Sequence, residues 1–94
     1  MRDNVIMEVV PLKIPDAMSF LQGHERHYKS DALPVFAIGI KINDELVGCA
    51  VVGERNGDAE LCHIYSVGEY LGYTTLYGSV WRCAKAMGYK RMIL

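Results

Sequence analysis

Two turn sequences constrain this chain more than anything else in it. Asn56-Gly57 separates two apolar runs. A two-residue connection of this kind is a type I′ turn, which needs positive φ at both central residues and therefore favours Asn and Gly. Asn43-Asp44-Glu45 interrupts apolar sequence in the same way one segment earlier. Together the turns predict three strands, over residues 35–42, 46–53 and 60–67, running as an antiparallel meander. The middle run is apolar at nearly every position. Such a strand is covered on both faces, so the sheet needs layers on each side.

The flanking sequence supplies those layers. A β-prone run over 5–10 is closed by Pro11, and Leu33-Pro34 breaks the chain again before the meander. Between them Ile14, Ala17, Met18, Leu21 and Tyr28 recur at helical spacing. Pro15 and Asp16 suit the first turn of a helix, where a missing N–H and a carboxylate are both tolerated, and the spacing predicts a helix over 15–28. After the meander, Leu76, Val80, Cys83, Ala84 and Met87 form a second stripe. Thr74 is its candidate N-cap, and Gly88 its C-terminal stop. Residues 90–94 begin another strand. The order is β-α-β-β-β-α-β, an α/β arrangement on one mixed sheet. Its closing β-α-β is a crossover, which sets the last strand parallel to the third meander strand.

Composition bounds the function. With 94 residues, 51% hydrophobic and 22% charged, the chain reads as one folded domain over 1–94 with a thin core. Ten basic residues face eleven acidic ones, which excludes nucleic-acid binding by bulk charge. No apolar run reaches membrane-spanning length, and the N-terminus has no signal-peptide pattern, so a cytoplasmic protein is expected. Cys49, Cys62 and Cys83 are odd in number and lack CxxC spacing. They read as free core thiols in a reducing compartment, with no zinc site and no disulfide framework. His24 and His27 lack a third ligand, so no metal is expected. The high apolar content of so small a body points to a surface covered by a partner or a second copy.

The chemistry concentrates between Glu60 and Gly88. A Gly-bearing corner, Gly68-Glu69-Tyr70-Leu71-Gly72-Tyr73-Thr74, runs from a strand into a helix N-terminus. There, orphan N–H groups and the helix dipole favour an anion such as a pyrophosphate. Many such corners carry glycines only to turn, and the residues alone leave both readings open.

The sequence resembles the GNAT superfamily of acyl-CoA N-acyltransferases, in a compact bacterial and prophage-associated branch. The resemblance rests on His24-Glu25-Arg26-His27-Tyr28-Lys29, Phe36-Ala37-Ile38-Gly39-Ile40, Leu46-Val47-Gly48 and Glu60-Leu61-Cys62. It rests most specifically on Leu76-Tyr77-Gly78 with Arg82-Cys83-Ala84-Lys85-Ala86-Met87-Gly88-Tyr89. It implies acetyl-CoA as co-substrate and an amine on a small molecule or protein as acceptor. It places Ile64, Tyr65, Ser66 and Val67 along the pantetheine arm. Tyr70, Leu71, Gly72, Tyr73, Thr74 and Thr75 fall around the phosphates. Where the superfamily loop usually carries Arg or Gln, this register gives Glu69. The family fold also continues past the strand that starts at Lys90, so the chain reads as a C-terminally shortened relative.

Three side chains are candidates for proton transfer. Glu60 is a general base, directly or through water, although its place just after the turn equally suits an exposed surface acid. His63 lies on the same strand, facing away from Glu60 by simple alternation, and is a second base or a structural histidine. Tyr65, in a cluster with Tyr70, Tyr73 and Tyr77, is a candidate acid for the leaving thiolate or a packing residue. His24, Arg26 and His27 form a basic group that would recognise an acidic or phosphate-bearing substrate, or would simply sit well near a helix C-terminus. A second functional reading is a catalytically silent, possibly phage-encoded relative that works by protein association. It would form a homo-oligomer through the C-terminal edge strand, since an open edge is a template for pairing.

Overall fold

In the computed structural model, the described residues are 6–23, 32–68 and 71–94, with Leu71 described by its backbone alone. Strand β1 (Met7–Leu12) is followed by helix α1 (Ile14–Gly23). Strands β2 (Leu33–Ile42), β3 (Glu45–Arg55) and β4 (Asp58–Ser66) form the meander. Helix α2 (Leu71–Ala86) then leads to β5 (Met92–Ile93). The sheet order is β1-β2-β3-β4-β5, antiparallel until β5, which runs parallel to β4. The crossover inferred from the sequence is therefore present.

Both turns have the expected chemistry. Asn43 and Asp44 have φ of 50° and 72°, and Asn56 and Gly57 have 54° and 86°. These pairs of positive φ match the right-handed twist of the strands they join. Two prolines behave differently from the sequence expectation. Pro11 lies within β1, opposite Ile38, and Pro34 lies within β2, opposite Gly53. Pro11 is tolerated because β1 is an edge strand, and Pro34 sits beside a register irregularity before Phe36.

Strand alternation divides the core into two layers. Cys49 and Val51 point toward α1, where they meet Ala17, Leu21, Ala37 and Cys62. Ala50 and Val52 point toward α2, where they meet Ile38, Ile40, Leu61, Leu76, Val80 and Ala84. A strand buried on both faces has no place for polar side chains, which explains the unbroken apolar run in β3.

The helix ends show which local signals acted. In α1 the Ala17 amide bonds to the Lys13 carbonyl, with Pro15 and Asp16 in the first turn. The expected continuation to Tyr28 falls outside the described residues. Helix α2 begins at Leu71, so Thr74 lies inside its first turn rather than capping it. At the other end Gly88 has φ of 102°, its amide bonds to Lys85 O, and the Tyr89 amide bonds to Ala84 O. This pair of bonds is a Schellman motif, and it turns the chain where Gly88 predicts. Met87 falls in that turn and is 52% exposed, so it leaves the apolar stripe.

Candidate active site

Pairing across β3 and β4 is interrupted once. Val51 faces His63 and Val52 faces Leu61, which leaves Cys62 as an extra residue in β4. This β-bulge changes the facing of everything beyond it. Glu60 pairs with Gly53, His63 with Val51 and Tyr65 with Cys49, so all three share the α1 face. Simple alternation puts His63 opposite Glu60. The bulge corrects this, because one inserted residue shifts the parity of the strand. Ile64 and Ser66, opposite Ala50 and Gly48, point to the α2 face.

Glu60 is not a surface acid. Its side chain is only 12% exposed, and Arg55 clasps it with Nε to Oε1 at 2.6 Å and Nη2 to Oε2 at 3.4 Å. The two residues flank the Asn56-Gly57 turn, so the hairpin itself brings guanidinium and carboxylate together. A bidentate clasp of this kind fixes the carboxylate plane as well as its position. Sequence reading missed Arg55. Its signal was an arginine just before a tight hairpin turn, within diagonal cross-strand reach of an acid just after it.

His63 is half-buried, with Nδ1 shielded from solvent. Tyr65 is half-buried against Phe20 of α1, with ring centroids 6.3 Å apart and planes tilted by 43°. The cysteines serve as core residues. Cys49 is fully buried, donates to Ala17 O at 3.7 Å, and has its thiol pKa pushed up to about 12 by burial. Cys62 donates to Glu60 O at 3.6 Å, and none of the three cysteines is in a disulfide. Among the described residues no three His, Cys, Asp or Glu side chains group to hold a metal.

The strand-to-helix corner is closely packed. A Cβ built on Gly72 would overlap Ser66 Oγ and lie 2.7 Å from Ser66 Cβ. The first turn of α2 therefore rests directly on the end of β4, and only glycine permits that approach. Ser66 is buried and Val67 exposed. Tyr73 and Thr75 are half-buried and Thr74 is exposed around the same turn, which contains no carboxylate. Below the corner, a cleft of about 260 Å³ opens beside β4, lined by Leu61, Ile64, Tyr77 and Leu94. Strand β5 pairs with β4 only at Ala59 and Glu60, so this cleft lies against the part of β4 that β5 does not cover. Of the expected site residues, Glu60, His63 and Tyr65 are thus gathered on one face, while Ile64, Ser66 and Gly72 lie on the other. His24, Arg26, His27, Glu69 and Tyr70 lie outside the described residues.

No helix among the described residues is long and apolar enough to cross a membrane. No protein-family model matches the chain, and no curated protein matches it in sequence. Its architecture is similar to that of a solved structure, the aminoglycoside N-acetyltransferase AAC(6')-Iy in complex with CoA. The match has a TM-score of 0.66 over 99% of this chain and 78% of that one, at 13% identity. The chain has a GNAT-like fold: an antiparallel meander, a crossover helix and a parallel closing strand on a mixed α/β sheet.

Proposed function

We propose that this chain binds acetyl-CoA and transfers its acetyl group to an amine. The observation that carries the reading is the Gly72–Ser66 corner on a fold shared with a CoA-bound acetyltransferase. A helix N-terminus free of carboxylates in its first turn, seated on the strand end, suits a pyrophosphate. In this reading the backbone from Tyr70 to Thr75 holds the phosphates. Ile64, Tyr65, Ser66 and Val67 border the pantetheine arm, with Ile64 lining the cleft beside β4. The alternation of β4 divides that work. Ile64 and Ser66 supply side chains on the α2 face, and Tyr65 contributes by its backbone.

Bound acetyl-CoA would supply the activated acyl group. The acceptor nitrogen must lose a proton as it attacks, and Glu60 takes that proton directly or through a water. Arg55 holds the carboxylate in one orientation for this role. His63, on the same face, is the alternative base, and Tyr65 is the group that returns a proton to the departing sulfur. His24, Arg26 and His27 would meet the acceptor.

Calorimetric titration with acetyl-CoA, with CoA as control, tests the reading. Micromolar binding that disappears in Gly72→Leu supports it. A folded protein with no affinity for either ligand overturns it in favour of a silent binding protein. That second reading draws on the exposed apolar residues at β5, where Ile93 is 43% and Leu94 71% exposed.

A further inference from the structure

The turn end of the β3–β4 hairpin carries an arrangement of charge that these two strands alone do not explain. Their register sets Arg55 directly opposite Asp58, and Gly53 directly opposite Glu60. Directly opposed side chains stand closest, and the diagonal neighbour two residues along is farther away. Arg55 nevertheless gives its guanidinium to the diagonal carboxylate, Glu60, with Nε to Oε1 at 2.6 Å.

The reason lies on the next strand. β5 runs parallel to β4, with Met92 beside Ala59 and Ile93 beside Glu60. One step earlier in that direction, Arg91 grips Asp58 with two donors, Nε to Oδ1 at 3.3 Å and Nη2 to Oδ2 at 2.6 Å. Asp58 therefore has an arginine within reach on each neighbouring strand. Two guanidinium groups repel one another, and only one can take both oxygens of a carboxylate in the parallel, bidentate way. Arg91 holds Asp58, and Arg55 turns to the next carboxylate on the same face of β4. Glu60 itself has Gly53 and Ile93 as its cross-strand neighbours, and neither supplies a charge.

We propose that Arg91 is a positioning residue for Glu60: by occupying Asp58 it commits Arg55 to Glu60, so the docking of β5 fixes the orientation of the candidate base. The relay runs from Arg91 through Asp58 and Arg55 to Glu60, across three strands. The choice of partners stands on the geometry alone, and its meaning for catalysis rests on the acetyltransferase reading. With Arg91 withdrawn, Asp58 opens to Arg55, its direct neighbour. The guanidinium then divides between two carboxylates, and Glu60 is no longer held in one plane.

Nuclear Overhauser contacts from the Arg55 Hε proton read the partner directly. In the wild-type chain Hε should contact the Glu60 side chain. Arg91 is 75% exposed at its side chain, so glutamine can replace it without loss of core packing. In Arg91→Gln the Glu60 contact should fall by at least about half, as the guanidinium divides between two like carboxylates, and a contact to Asp58 should appear. Asp58→Asn breaks the same bridge to Arg91 but leaves no competing carboxylate, so Arg55 should stay on Glu60. Adding Asp58→Asn to Arg91→Gln should restore the Glu60 contact, which a mere loosening of the hairpin would not do. An unchanged Glu60 contact in Arg91→Gln, an equal loss in Asp58→Asn, or no recovery in the double variant would each overturn the proposal. Calorimetry with acetyl-CoA on the wild-type chain tests the acetyltransferase reading separately. Absence of affinity would overturn that reading, and with it the catalytic meaning of the relay, without altering these contacts.

Discussion

Gly72 carries more consequence than any other single residue here. It is required by contact, because a side chain at this position would occupy the space of Ser66. Gly72→Ala should therefore lift the first turn of α2 from β4 and lower stability by about 1–3 kcal/mol, the usual range for an overpacked site. Ser66→Gly in the same chain should recover part of the loss. Additive losses in a chemical-denaturation double-mutant cycle would show that the two residues do not press on one another. The acetyl-CoA affinity of these variants should follow the corner's geometry, falling in the single variant and partly returning in the double.

Cys49 offers an independent residue-scale check. A thiol pushed up to about 12 and fully buried presents almost no thiolate at neutral pH. Native protein treated with iodoacetamide at about pH 8 should be modified at half-buried Cys83 well before Cys49, as read by mass spectrometry. Rapid labelling of Cys49 without unfolding would contradict its place in the α1 layer.

At the scale of elements, the β3–β4 hairpin is more than a connection. Its turn places Arg55 against Glu60, and its bulge at Cys62 brings His63 and Tyr65 to the same face. Arg55→Met would leave a mostly buried carboxylate without its guanidinium. The expected cost is about 1–3 kcal/mol, below the full penalty for a broken buried pair because Arg55 itself is 39% exposed. Arg55→Lys should restore part of the stability but not the bidentate geometry. Thermal denaturation of the two variants would separate charge from shape.

The docking of β5 is an element-scale property with a pH signature. Arg91 bonds Asp58, and the Tyr89 hydroxyl donates to Glu54, so two side-chain bridges flank two residues of strand pairing. The hydrogen bond and charge of Arg91 hold the Asp58 carboxyl below its ordinary value. A depressed carboxyl contributes stability above its unfolded pKa and loses it as pH falls through the folded one. Tyr89 is raised by its bond to Glu54, so its contribution is present below the unfolded pKa and lost as pH rises through the folded one. The amide of Ala59, which bonds Arg91 O, should therefore be best protected between about pH 4 and pH 10. Hydrogen exchange at that amide, compared between wild type and Asp58→Asn, measures the acid limb. Protection that is flat with pH down to global unfolding would remove the bridge from the account.

At the scale of the whole molecule, the sheet separates two kinds of work. One face carries α1 and the Glu60, His63 and Tyr65 group. The other carries α2, the close Gly72–Ser66 corner and the cleft beside β4. Within the first group Glu60 pairs with Ile93 of β5, whereas His63 and Tyr65 lie on the stretch of β4 that β5 leaves uncovered. A larger cleft between α2 and β5 adjoins the one beside β4, and Tyr77 and Leu94 line both.

Much of this architecture is written locally. Asn43-Asp44 and Asn56-Gly57 specify their turns because positive φ is a property of single residues. The stripe through Leu76, Val80 and Ala84 and the stop at Gly88 specify α2 because helical neighbours are three or four residues apart. From these signals the order of elements, the antiparallel meander and the parallel closing strand all follow. The site was legible only as a region. Which residues of β4 share a face depends on the register against β3, and register is a property of two strands, so the bulge at Cys62 leaves no mark in β4's own alternation. Burial of Glu60, its clasp by Arg55 and the pressure of Gly72 on Ser66 arise only when segments distant along the chain or across a turn are brought into contact. The sequence by itself thus determined what each segment becomes. The tertiary structure decided which side chains meet, because facing and contact are settled by pairing and packing rather than by any residue's own preference.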